Sequence, residues 1–383
     1  MTLLYDLIAS QPKKGEAFHG GGFYAALIFR YLSAHLPEGS RMVAFYDRSR
    51  PVAEDVKEAA ETGGILLEGI DSVEEVYGLI EKHQVSRVFS AIPSNLRSLR
   101  LENVHFVFTN HGLRGIEKHW DSTEFRYTSS VKGKLKILAK ILLSKRIVQR
   151  KVDRYKGLEA ICSNYSVISV SRHSQSSIFL NLGMKDPDRI KVFYSPLFLD
   201  ETVPEALPPV VEGDYFLIVS GNRWIKNSYR ALLAFKNLQK HYPHKTKLVV
   251  TGIPESSPLR KWGGDNILMM DYVDDATLQS LYQHCSAFLY PTLNEGFGYP
   301  PLEAQRYSRP VISAANTSLF EVLGSSALFF DTSSVLEMET RLFQFLRDPE
   351  LQNSLGEEGF KNYKRVLALQ SQDLKGLRDF LFS

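Results

Sequence analysis

The segment PTLNEGFGYPPLEAQRYSRPVIS sets two carboxylates, Glu295 and Glu303, around paired glycines and paired prolines. An ionised carboxylate accepts two hydrogen bonds at once, each worth roughly 1.5–3 kcal/mol, so it suits the vicinal hydroxyls of a sugar. Gly296 and Gly298, on either side of Phe297, leave backbone N–H groups open to a ligand. Pro300 and Pro301 are tolerated in the first turn of a helix, where a missing N–H costs nothing. This predicts a loop carrying Glu295 and a helix carrying Glu303 in its first turns. An N-capping acid and an ordinary helix acid would explain either glutamate alone. They do not explain the glycines, the prolines and the preceding apolar run AFLY together.

Cations stand at a second strand-to-helix junction, SGNRWIKNSYRALLAF, where Arg223 and Lys226 precede a helix capped by Asn227 or Ser228. Fixed cations at a helix N-terminus stabilise an anion, and losing one donor from such an arrangement costs about 3–4 kcal/mol in a reaction barrier. Nearer the N-terminus, HGGGFYAALIFRYL gathers Gly20, Gly21 and Gly22 ahead of a helix, and VFTNHGLRGIE leaves His111 at a strand end. A tight turn and a strand-end histidine without function are the plainer readings of those two. Asp186 and Asp188 have acid-x-acid spacing but fall in a surface turn, and no other acidic pair follows a strand.

The first segment is similar to the E-x7-E signature of glycosyltransferase family 4, whose usual form reads EGFGxPxLEAMxxGxPV. The match runs through Glu295, Gly296, Phe297, Gly298, Pro300, Leu302, Glu303, Ala304, Pro310 and Val311. The resemblance implies that Glu295 contacts a donor sugar and Glu303 the nucleotide ribose. It gives Arg223 and Lys226 to the donor diphosphate, although their spacing here is shorter than the common form. Gly20, Gly22 and Tyr24 resemble the family's G-x-G-x-Y loop, whose N–H groups would face the diphosphate or the acceptor. His111 takes the place of a histidine lining the sugar pocket, as a hydrogen-bond partner and not a general base; Gly112 replaces the usual aspartate. Base contacts would be largely backbone, around Gly252–Ile253 and Tyr272–Val273, with Thr317 and Ser318 near the diphosphate. The stretches SVISVSRHSQSSIFLNLGMKDPDRIKVFYSPL and NTSLFEVLGSSALFFD extend the likeness over most of the chain beyond about residue 105.

That likeness implies a retaining transferase that moves a hexose from a nucleotide-diphosphate-sugar to a glycan or lipid-linked acceptor. Surface polysaccharide or glycoconjugate synthesis is the implied setting. No cofactor and no divalent metal would be needed, because Arg and Lys take the metal's place. Enzymes of the same plan are the rivals: a sugar-nucleotide 2-epimerase, or a phosphorylase with its pyridoxal-phosphate lysine. A non-catalytic scaffold is the other, and intact Glu295, Glu303 and Lys226 speak against it.

These residues need strands to end just before them, and the sequence supplies such strands. Apolar runs alternate with amphipathic stretches: Arg41–Tyr46, Ser86–Ile92, Val104–Thr109 and Ser166–Ser171 read as buried strands, separated by helical patterns such as Gly22–His35. After a proline-rich acidic stretch, LDETVPEALPPVVEGD, the rhythm restarts at Tyr215–Ser220, Lys247–Thr251, Asn266–Met270, Ala287–Tyr290, Pro310–Ser313 and Ala327–Phe330. Strands alternating with helices predict βαβ units on parallel sheets. The expected class is α/β, two Rossmann-like domains with parallel sheets facing across a cleft, the GT-B type. Ligands of such sheets bind outside the carboxyl ends of the strands. The domains expected are 1–200 on the acceptor side, 201–365 binding the nucleotide-sugar, and a helix over 366–383 that the resemblance sends back to the first domain. Leu336, Leu342, Phe345, Leu346, Leu351 and Leu355 are the expected buried positions of the tail.

Composition bounds the partners. At 383 residues, 44% hydrophobic and 23% charged, the chain has material for two packed cores. A net charge of +3 is too small to argue for nucleic acid. Two distant cysteines, Cys162 and Cys285, suit a reducing compartment, and the N-terminus lacks the pattern of a signal peptide, so a cytoplasmic protein is expected. One stretch departs from the balance: VKGKLKILAKILLSKRIVQRKVDRYKG carries Lys132, Lys134, Lys136, Lys140, Lys145, Arg146, Arg150, Lys151 and Arg154 beside Ile137, Leu138, Ile141, Leu142 and Val148. It reads either as a solvated helix face or as a peripheral contact, over 132–156, with the anionic inner face of a membrane.

Overall fold

The computed structural model describes residues 1–11, 20–118, 120–196 and 205–383. The chain divides into two compact units, each built on one parallel sheet. The first gathers Met1–Leu113, Gln149–Glu201 and Leu367–Ser383; the second gathers Arg114–Val148 and Thr202–Val366.

In the first unit the chain runs β1 (Thr2–Asp6), α1 (Gly20–Ala34), β2 (Arg41–Asp47), α2 (Glu54–Thr62), β3 (Leu66–Ile70), α3 (Val76–His83), β4 (Arg87–Ser90) and β5 (His105–Asn110). After α4 (Arg114–Glu117), α5 (Val131–Leu142) and α6 (Ser144–Lys156) it resumes with β6 (Tyr165–Ser169), α7 (Arg172–Leu182) and β7 (Ile190–Val192). The sheet order is β3-β2-β1-β4-β5-β6-β7, with every pair parallel. Inner strands of such a sheet are covered on both faces, which is why Leu3–Tyr5 and Phe106–Phe108 are continuous apolar runs, all buried. The edge strand β3 gave no such signal: Leu66 is exposed, and Glu68 and Gly69 interrupt the run. Helix α1 lays Tyr24, Ile28, Phe29 and Leu32 on the sheet, and the chain's last turns add Leu374, Leu377 and Leu381 to the same core. Full burial of each such side chain is worth roughly 1.5–3 kcal/mol.

The second unit repeats the plan: β8 (Tyr215–Ile218), α8 (Ser228–His241), β9 (Lys247–Val250), β10 (Ile267–Met269), α9 (Asp275–His284), β11 (Ala287–Tyr290), α10 (Tyr299–Arg306), β12 (Val311–Ala314), α11 (Leu319–Leu323), β13 (Leu328–Phe330) and α12 (Val335–Arg347). Its order, β10-β9-β8-β11-β12-β13, reverses direction between β8 and β11. That reversal opens the crevice in which doubly wound sheets receive ligands. Helix α13 (Pro349–Leu381) follows; up to Val366 it groups with this unit and from Leu367 with the first.

Three expectations need correcting. Arg114–Val148 lies in sequence between strands of the first sheet yet packs in the second unit. Trp224 Nε1 donates to Thr123 Oγ1 (3.0 Å), the Tyr229 N–H donates to the Tyr127 hydroxyl (2.9 Å), and Arg230 pairs with Asp121 (3.3 Å). The tail helix begins at Pro349, well before 366. Within α12 it is Met338, Leu342 and Phe345 that face the core, so Leu336 is 71% exposed. Of the proline-rich acidic stretch, residues 199–204 lie outside the described residues. Among the described residues no helix is long and apolar enough to cross a membrane.

Candidate active site

The loops after β8 and β11, on either side of the sheet's reversal, bring a lysine and a glutamate together. Past β8, Ser220 takes a left-handed φ of 54°. A Cβ on Gly221 would lie 2.5 Å from Val250 Cγ1, so only glycine fits there. A single 3-10 turn, Trp224–Lys226, ends at Asn227, also left-handed. The Asn227 amide donates to the carbonyls of Pro291 (3.1 Å) and Thr332 (2.9 Å), tying this loop to the one after β11. Leu293 N–H closes the same junction on Ile225 O (2.8 Å).

The second loop is pinned by the turn before α11. Glu295 N–H donates to Thr317 Oγ1 (3.1 Å), and the Ser318 hydroxyl lies within hydrogen-bond distance of the carbonyls of Glu295 (3.1 Å) and Phe297 (2.8 Å). Thr317 has φ 46°, a left-handed conformation that costs a β-branched residue about 1–3 kcal/mol. Gly298 has φ 109°, and a Cβ there would stand 2.7 Å from Leu319 Cδ2. Gly298 caps α10, with the prolines in the helix's first turn.

Lys226 and Glu295 are 6% and 7% exposed, and Lys226 Nζ donates to Glu295 Oε1 at 2.7 Å. Thr292 Oγ1 reaches the same oxygen (2.9 Å), Lys226 also reaches the Tyr290 hydroxyl (3.0 Å), and Arg114 donates to Glu295 Oε2 (3.0 Å). Burial pulls the Glu295 carboxyl upward, but the charges of Lys226 and Arg114, with hydrogen bonds from Lys226 and Tyr290, outweigh it and hold the group at about 2. Burial draws Lys226 down, Glu295 draws it back, and the neighbouring charges of Arg223 and Arg114 push it further down. A buried charge stripped of its partner costs several kcal/mol, so the two stand together or not at all. Two cations on one carboxylate, with Arg223 acting on Lys226 from nearby, leave this pocket electropositive.

Of the other expected residues, Arg223 is exposed at the head of the 3-10 turn, close enough to act on Lys226. Glu303 is half-buried on α10, with its carboxyl raised by burial against the pull of Tyr282 and Lys226. Gly296 lies in the pinned loop, whereas the Phe297 ring is buried against Tyr299, leaving only its backbone for a ligand. Thr317 and Ser318 use their hydroxyls to pin the loop itself. Gly252 (φ 72°) passes so close to β8's loop that a Cβ would lie 2.9 Å from Ser220 Cα, and Val273 follows on the same sheet edge beside exposed Tyr272. Arg114, Thr292 and Tyr290 were missed. Arg114 stands three residues after His111, and nothing in that motif signals a contact 181 residues away.

In the first unit, Gly20, Gly21 and Gly22 are not a loop but the first turn of α1. A Cβ on Gly21 would meet Ile92 Cδ1 at 2.6 Å and His111 Nε2 at 3.9 Å, so what is required there is close approach of helix to strand ends. Tyr24 is buried, its ring edge-on to His111 (4.8 Å). His111 Nε2 lies 3.1 Å from Ala91 O, which makes Nε2 the protonated nitrogen and leaves Nδ1 as an acceptor. Burial, only partly offset by Ala91, drops its pKa to about 4, so the ring is neutral at pH 7. Asp186 caps its own turn through Asp188 N–H (2.9 Å). Among the described residues no three His, Cys, Asp or Glu side chains gather as a metal site.

Residues 201–362 match the family described as glycosyl transferases, group 1. The O-antigen chain mannosyltransferase B of Escherichia coli is 28% identical over 209 residues, 50% of this chain and 54% of that protein. The chain spans about half the length, or less, of the curated relatives it matches. In fold, the sucrose-phosphate synthase of Thermosynechococcus elongatus aligns with a TM-score of 0.68 over 100% of this chain and 99% of that one, at 16% identity. Anabaena HepE in complex with UDP and glucose aligns at 0.63, over 99% and 100%, at 13% identity. Such likenesses establish the architecture of two Rossmann-like domains.

Proposed function

We propose that this chain, whose residues 201–362 match the group 1 glycosyl transferases, moves a hexose from a nucleotide-diphosphate-sugar to a glycan or lipid-linked acceptor with retention at the anomeric carbon. The observation that carries this reading is the buried Lys226–Glu295 pair at the reversal of the second sheet, inside an excess of positive charge. The ionised Glu295 accepts hydrogen bonds from the sugar, Glu303 takes the ribose, and Lys226 and Arg223 take the diphosphate. In the transfer the bond from the anomeric carbon to the phosphate oxygen breaks and its electron pair stays on the diphosphate, where fixed cations stabilise it. The acceptor oxygen bonds to the same face of that carbon, and its proton goes to the departing phosphate oxygen. No side chain then has to act as base. The cations do the work a divalent ion would do, so no metal is required.

The relatives named for mannose transfer in O-antigen chains make surface polysaccharide the proposed setting and a mannosyl donor the first to try. Thermal-shift screening against UDP-, GDP-, dTDP- and ADP-sugars in excess EDTA tests the reading. One nucleotide class stabilises the protein, and Lys226→Ala abolishes the shift. No shift with any donor, together with no release of nucleotide, would favour a scaffold.

The chain also works at an anionic membrane surface, through α5. Among its apolar residues only Ile137 is buried, while Leu135, Leu138, Ile141 and Leu142 are exposed among lysines. Each base near an anionic bilayer contributes about 1 kcal/mol. Co-sedimentation with anionic but not neutral liposomes, weakened by salt and by Leu135→Glu with Leu142→Glu, is the expected result; indifference to lipid charge removes the proposal.

A further inference from the structure

Arg114 opens α4, and in the folded chain it is held at the donor loops by a strap of its own. Three residues on, Glu117 Oε2 accepts from Asn294 Nδ2 (2.6 Å), the neighbour of Glu295. Farther along, Asp121 pairs with Arg230, Thr123 accepts from Trp224, and Tyr127 accepts from Tyr229 N–H. The strap is therefore stitched to both loops of the candidate site, which holds Arg114 beside Glu295. Its one hydrogen bond among the described residues goes to Glu295 Oε2, and the side chain is 43% exposed. A guanidinium has five N–H donors, so most of this one remains available to a ligand. Lys226 and Arg114 bond one carboxylate and Arg223 stands close enough to act on Lys226, an excess of two positive charges; burial first, and then the charges of Arg223 and Arg114, depress Lys226. The diphosphate of a nucleotide-sugar carries the two negative charges that would relieve it.

We propose that Arg114 is a donor-site residue: it orients Glu295 through Oε2 and, as sugar hydroxyls engage that carboxylate, directs its remaining donors to the diphosphate. The proposal rests on the donor reading given above. It assigns to the stretch between β5 and β6 a share in a site otherwise made by the second unit's sheet. Besides Arg114, the groups that face Glu295 are Lys226, the hydroxyl of Thr292 and the hydroxyl of Tyr290. Removing a cation from that set must raise the carboxyl's pKa.

Calorimetric titration of wild type, Arg114→Gln and Arg114→Lys with GDP and UDP, and with GMP and UMP, in EDTA, tests this. Arg114→Gln is expected to lose at least about tenfold in affinity for the diphosphate and to keep its affinity for the monophosphate. Arg114→Lys, which keeps the charge without the fork, should fall between the two. The acid limb of kcat/KM should move to higher pH in Arg114→Gln and stay in place in Arg114→Lys. If wild type binds a diphosphate and Arg114→Gln binds it equally well with an unmoved acid limb, the assignment of Arg114 is wrong and the donor site stands. If wild type binds none of the nucleotides, the donor reading falls and Arg114 falls with it.

Discussion

Each unit buries a carboxylate near the carboxyl ends of its strands, and the two are shifted in opposite directions. Asp6, at the end of β1 beside the reversal of the first sheet, is 0% exposed. It accepts from Ser90 Oγ (2.6 Å) and Ile8 N–H (2.9 Å), and burial, only partly offset by those bonds, raises its pKa to about 6. Glu295 is buried nearly as deeply but has Lys226 and Arg114, and it is held at about 2. Burial alone does not decide which way a carboxylate's pKa moves; its partners do. Backbone strain follows the same division. Among the described residues, Ser220, Asn227 and Thr317, three of the six non-glycine residues with positive φ, sit in the loops that present Lys226 and Glu295 or in the turn that pins them. The second unit gives its buried carboxylate two cationic partners, whereas the first gives Asp6 only a hydroxyl and an N–H.

The harshest way to break this contrast is to strip Glu295 of its lysine. Lys226→Ala should cut turnover about 100- to 1000-fold. It should also destabilise the protein by up to about 3–5 kcal/mol, because the buried Glu295 charge keeps only the half-exposed Arg114 as a partner. Lys226→Ala with Glu295→Gln should recover part of that stability and none of the turnover, as read by urea unfolding and single-turnover rates. Asp6→Asn should act in the opposite sense. The raised pKa of Asp6 means its contribution is present below pH 3.8 and lost as pH rises through about 6. Asn should therefore stabilise by up to about 3 kcal/mol at pH 7.5 and by little at pH 4; an equal shift in Tm at both would refute the assignment. Glu295 gives the reverse slope, with stability present above its ordinary 4.5 and lost as pH falls toward 2.

Smaller effects sharpen the comparison of backbones. Gly298→Ala meets both a φ of 109° and Leu319, and should cost about 1–3 kcal/mol along with donor binding. Gly21→Ala meets only the movable tip of Ile92 and gains up to about 1 kcal/mol of helix propensity, so it should be close to neutral in melting temperature. Ser308, left-handed at φ 57° away from the charged loops, stands where the resembling motif has glycine. Ser308→Gly should stabilise by at most about 1 kcal/mol and leave turnover unchanged.

The sequence made the sheets legible because a strand covered on both faces must be apolar throughout, as in Phe106–Phe108 and Phe216–Ile218. It hid β3, whose exposed edge needs no such run. Lys226 and Glu295 could be named because each follows a strand within its own motif. Their link to Arg114 spans 181 residues and leaves no local period to read. Gly20–Gly22 misled for a related reason: glycine marks a close approach, and the close approach here is α1 against Ile92, inside a helix and not a loop.

The most direct test is a crystal structure of the protein soaked with the nucleotide-sugar that stabilises it. The account predicts the diphosphate within hydrogen-bond distance of Lys226 and a sugar hydroxyl on the Glu295 carboxylate. A donor lodged elsewhere, with the Lys226–Glu295 pair untouched, would contradict it.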